Sequence, residues 1–113
     1  MAIRNREQLY GLFELDPAGT VLYSRIEPEG NMRDARPDVS GHNFFDEVAP
    51  FENVEEFRER FTSFERSKGQ VGKFNFTCRW IDQSLAVRVL LARISERANG
   101  DQTRSVLVHI RKA

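Results

Sequence analysis

The chain has 113 residues, 40% of them hydrophobic and 30% charged, a balance that excludes a disordered segment and suits one domain with one core. Lysine plus arginine and aspartate plus glutamate number 17 each, so no overall charge draws the chain to nucleic acid or to an anionic membrane surface. The single cysteine excludes an internal disulfide and a thiolate metal site, and Arg88 and Arg93 break the longest apolar stretches well short of the ~18 residues of a membrane span. The N-terminus, Met1-Ala-Ile-Arg-Asn-Arg-Glu7, lacks the apolar core of a signal peptide, and a soluble, cytoplasmic protein is expected.

Residues 1–9 are polar and read as an N-terminal arm or short helix, leaving 10–113 as one domain. Tyr10-Gly-Leu-Phe-Glu-Leu15 is apolar and extended and stops at Asp16-Pro-Ala-Gly19, a turn with proline at its first corner and glycine at its end. Thr20-Val-Leu-Tyr-Ser24 resumes the extended pattern, so residues 10–24 read as a β-hairpin. Pro28, Gly30 and Pro37 exclude a long helix or a central strand between Arg25 and Ser40. Phe44 to Ala49 form a short helix that Pro50 ends.

Val54, Phe57, Phe61 and Phe64 recur at helical spacing and predict a helix over about 54–67. Asn53 is its expected N-cap, with Glu56 three residues on as in a capping box, and Lys68-Gly69 is its expected left-handed end. Three strands follow. Phe74, Phe76, Cys78 and Trp80 alternate with Lys73, Asn75, Thr77 and Arg79; Leu85, Val87, Val89 and Leu91 alternate with Ala86, Arg88, Leu90 and Ala92. Asn99-Gly100 is a hairpin turn, and Arg104 to Arg111 form the last strand. The result is an α+β fold, a five-stranded antiparallel sheet with short helices and one longer helix on one face.

That order resembles a PAS domain. The segment Gly41-His-Asn-Phe-Phe-Asp-Glu-Val-Ala-Pro50 sharpens the likeness, because it is similar to the G-x-N-F-F-x-x-V-A-P stretch of the photoactive yellow protein family within the PAS superfamily. The similarity extends through Glu56-Phe57, Arg60-Phe61, Phe74, Phe76, Val87 and Val89, running without gaps from about Tyr10 to about Arg93. In that family a cysteine after the proline carries p-coumaric acid as a thioester; here the position is Phe51, which has no nucleophile. The family's phenolate-binding tyrosine falls on Ser24, beside Tyr23, and its glutamate on Pro28, between Glu27 and Glu29. Its gating arginine falls on Asp34. The resemblance implies a PAS fold without the family's chromophore chemistry. It also implies a cavity between sheet and short helices, lined by Phe13, Ser24, Phe44, Val48, Phe51, Phe76 and Cys78.

Other chemistry is thinly represented. Cys78 sits on an alternating apolar face, where a free thiol packs as a small hydrophobe, and no flavin-attaching N-C-R-F-L-Q-like motif is present. His42 and His109 have no carboxylate at a recognised metal spacing, and His42, before the aromatic segment, is the better candidate for a haem ligand. Glu55/Glu56 is explained by the capping of its helix and the members of Asp46/Glu47 point in different directions, so no enzyme is expected; no resident cofactor or metal is expected either. Phe51 is large enough to fill the cavity with its own ring. The expected function is a bacterial-type PAS signalling module acting through protein–protein contact. Its partner is a second copy or another signalling protein, met through the N-terminal segment or the outer sheet face at Leu90, Ala92 and Leu107. The alternative is a sensor of a flat, apolar ligand held in the cavity.

Overall fold

The computed structural model describes residues 10–26, 39–49, 51–98 and 101–113. The expected arm at 1–9, the positions Glu27, Pro28, Glu29 and Asp34, Pro50, and the Asn99-Gly100 turn lie outside them. Five strands, β1 (Gly11–Leu15), β2 (Val21–Ile26), β3 (Val71–Arg79), β4 (Ser84–Ala98) and β5 (Asp101–Lys112), form one antiparallel sheet. Their order is β2-β1-β5-β4-β3, so the first hairpin docks on the last strand. Phe13 faces Val108 and Leu12 faces His109 across that junction. A helix, α1 (Val54–Arg66), and a shorter turn, Phe44–Val48, supply the second layer.

The first hairpin turns as its residues dictate. Gly19 donates to the Asp16 carbonyl at 2.9 Å, and the Asp16 carboxylate accepts from the amides of Ala18 and Thr20 at 3.0 and 2.8 Å, an Asx turn. Gly19 has φ +95°, and a Cβ there would lie 2.8 Å from the Phe45 ring, so only glycine fits without displacement. Pairing shifts between Glu14 and Leu15, which face Tyr23 and Val21, and Leu22 is left over as a bulge, half-exposed.

The short helix at Phe44–Val48 is a single π turn, closed by the Ala49 amide donating to the Phe44 carbonyl five residues back at 2.7 Å. Asn43 organises it. Its Oδ1 accepts from the amides of Phe45 and Asp46, its Nδ2 donates to the Ala18 carbonyl, and its own amide donates to Glu47 Oε2 at 2.9 Å. The capping box that the sequence suggested for α1 is thus found one element earlier.

Both ends of α1 differ from expectation. Asn53 stands at the N-cap but makes no side-chain cap; its amide bonds the free edge of β3, donating to the Thr77 carbonyl at 2.8 Å and accepting from Arg79 at 2.9 Å. An exposed strand edge offers a donor and an acceptor that the asparagine amide matches, and that pairing replaces the cap. Glu56 turns to Arg79 at 2.6 Å instead of back to Asn53. At the C-terminus, Gly69 is not left-handed. The helix stops at an extended Ser67, and Arg93 of β4 takes its last carbonyls, those of Phe64, Glu65 and Ser67, at 2.6, 3.2 and 2.8 Å. A largely covered guanidinium supplies donors in a fixed fork, so no glycine cap is required.

Candidate functional site

Between sheet and helices lies a cluster of rings. Phe57, on the inward face of α1, lies 5.2–6.3 Å centroid to centroid from Phe44, Phe45, Phe51, Phe74 and Phe76. Phe13 meets Phe44 edge-on at 5.0 Å, and Phe45 meets Phe61 at 5.3 Å. These are the tilted and edge-to-face geometries that ring quadrupoles favour. Of the residues read as cavity lining, Phe13, Phe44, Val48, Phe51, Phe76 and Cys78 all belong to this one buried cluster. Ser24 lies opposite Phe13 on the same side of the sheet but is only half-buried, and its Oγ accepts from the Val39 amide at 3.4 Å.

Phe51 is 4% exposed, its ring 5.9 Å from those of Phe57 and Phe76 and 6.3 Å from the Trp80 indole. Trp80 and Phe57 were not among the expected lining residues, although the alternation of β3 and the spacing of α1 both aim them inward. Burial pushes the Cys78 thiol up to about 12, so it stays protonated and unreactive at neutral pH. His42 faces water and bonds Glu47 Oε1 through Nδ1 at 3.0 Å. That bond and the Asn43 amide hold the Glu47 carboxyl below the usual carboxylate range. A haem ligand would need its ring over the apolar core, and the His42 ring is on the surface. Among the described residues no three His, Cys, Asp or Glu side chains converge on one point, and no helix is long and apolar enough to cross a membrane.

The other face of the sheet carries a groove of about 550 Å³, lined by Lys73, Phe74, Asn75, Arg88, Val89, Leu90, His109 and Arg111. Sequence reading passed over this set because the charges of the whole chain sum to zero.

A five-stranded antiparallel sheet with one main and one small helix on a single face defines an α+β, PAS-like fold. Over 53 residues the chain is 43% identical to the photoactive yellow protein of Rhodothalassium salexigens, and it is a partial homologue of that PAS-fold protein. The match spans 46% of this chain and 42% of the relative, less than half of either. No protein-family model matches the chain.

Proposed function

We propose that the chain is a PAS-type signalling module that works by protein–protein contact, as a homodimer or docked on another signalling protein, without p-coumarate photochemistry and without catalysis. The observation that carries this reading is Phe51. At the position where the resemblance calls for a thiol stands a side chain with no nucleophile, and its ring is buried against Phe57, Phe76 and Trp80. A core occupied by its own side chains leaves the surface as the place where the molecule meets a partner.

Native mass spectrometry of the purified protein, beside a denatured run, tests this. The expected result is a bare chain at 13.1 kDa or twice that mass. A non-covalent adduct lost on denaturation would overturn the reading in favour of a sensor with an apolar or aromatic ligand. A second measurement uses Phe51→Ala, which opens space on the order of a phenyl ring. The variant should bind indole where wild type does not, by calorimetric titration; equal binding by wild type would mean that the core was open from the start.

A further inference from the structure

We propose that the basic half of the sheet's outer face binds an acidic segment of a partner protein, a proposal that rests on the interaction-module reading and names the chemistry of the partner. The strand register carries the argument. Asn75, Arg88 and Arg111 lie in one row across β3, β4 and β5, and Lys73, Leu90 and His109 lie in the next. The second row continues through Leu12 to Arg25 across β1 and β2. Arg88 and Arg111 are therefore directly opposite each other on the same face, with Cβ atoms about 5 Å apart, an arrangement that destabilises an antiparallel pair.

Three described arginines of the helix layer and its neighbouring strands are engaged. Arg58 pairs with Asp46 at 2.6 Å, Arg79 with Glu56 at 2.6 Å, and Arg93 holds the end of α1. Lys73, Arg88 and Arg111 are exposed and take part in no ion pair among the described residues. Glu14 is the acid described on the outer face of β1, and it accepts the Ser105 hydroxyl at 2.6 Å. The acids of the middle segment, Asp46, Glu47, Glu55, Glu56 and Glu65, belong to the helix layer. Among the described residues, Lys73, Arg88 and Arg111 thus stand in the groove as cations without an ion pair.

An anion seated between Arg88 and Arg111 relieves their repulsion and accepts from both forks. The floor of the groove is apolar at Leu90, with Ala92, Leu107 and Leu12 continuing the strip across neighbouring strands. Carboxylates for the rim and an aliphatic side chain for the floor describe an extended acidic peptide. A single-stranded nucleic acid would want a row of flat rings to stack its bases; among the described residues the groove offers the His109 imidazole, while the Phe74 ring turns inward onto Phe57 and Phe76. A two-fold pairing of this groove with itself would set arginines against arginines.

The test is fluorescence anisotropy of the whole chain with a fluorescein-labelled peptide, Glu-Asp-Leu-Glu-Asp-Leu-Glu-Asp. Binding is expected at about 50 mM salt and several-fold weaker at about 200 mM. Arg88→Glu and Arg111→Glu should each weaken it about tenfold or more. Arg88→Glu should at the same time raise Tm by about 1–2 °C, because the new carboxylate faces Arg111. A loss of binding in a more stable protein is a signature that damage to the fold cannot produce. No binding by wild type, or equal binding by both variants, would overturn the proposal. So would an oligo(dT) strand that displaces the peptide at lower concentration, which would name nucleic acid as the partner. Absent peptide binding with a bare chain in native mass spectrometry would sink the acidic partner and leave the interaction module standing; an adduct there with peptide binding intact would do the reverse.

Discussion

Strand β4 shows two opposite environments one residue apart. Val87, Val89 and Leu91 point to the helix layer and are 0–2% exposed, whereas Arg88 lies in water and Leu90 and Ala92 are half-covered. The inner side chains close on an aromatic cluster with Phe57 at its centre; the outer ones meet no second layer among the described elements. The inner face therefore holds most of the free energy of folding, since apolar area removed from water scales with stabilisation at about 25 cal/mol per Å². The outer face is where sequence can answer to a partner at little cost to the fold.

Substitutions should separate the two faces by size of effect. Phe57→Ala removes the ring against which Phe44, Phe45, Phe51, Phe74 and Phe76 pack, and urea unfolding should show a loss of about 3–5 kcal/mol. A loss below ~1 kcal/mol would mean that the rings do not form one core. Arg93→Ala strips donors from the carbonyls at the end of α1 and should cost about 2 kcal/mol, with amide exchange of the last helical turn rising first. Gly19→Ala forces a Cβ into the Phe45 ring at a positive φ, for about 1–2 kcal/mol, read from the denaturation midpoint.

The inner face also predicts a pH dependence. The Cys78 thiol is raised from an ordinary 9.0 to about 12 by burial, so the unfolded chain ionises first. Stability from this group is complete well below pH 9, falls as pH rises, and is down by about 1.4 kcal/mol near pH 10. Cys78→Ala should flatten that slope, and an unchanged slope would argue that the thiol is hydrated. At the small end, Val71→Ser on the exposed edge of β3 should change stability by no more than about 0.5 kcal/mol in the same assay.

Much of this architecture is legible along the chain, because it follows local periods. The alternation from Lys73 onward places Phe76 and Cys78 inside, the spacing of Phe57 and Phe61 gives the buried stripe of α1, and Asp16-Pro17 with Gly19 marks the first turn. Expectations failed where a distant residue competed with a local rule. Asn53 is a good cap in isolation, yet the edge of β3, some 24 residues on, offered it two bonds. Lys68-Gly69 is a good helix end, yet Arg93 reached the same carbonyls from 29 residues beyond Phe64.

The sequence alone determined the elements and the face that each one buries, since periodicity and residue chemistry act within a few positions. The tertiary structure decided the neighbours: β1 beside β5, Phe57 at the centre of the rings, and Arg88 opposite Arg111. Those outcomes depend on the register of strands far apart in the chain, which is chosen by the packing of the whole sheet against its helices and by no residue on its own.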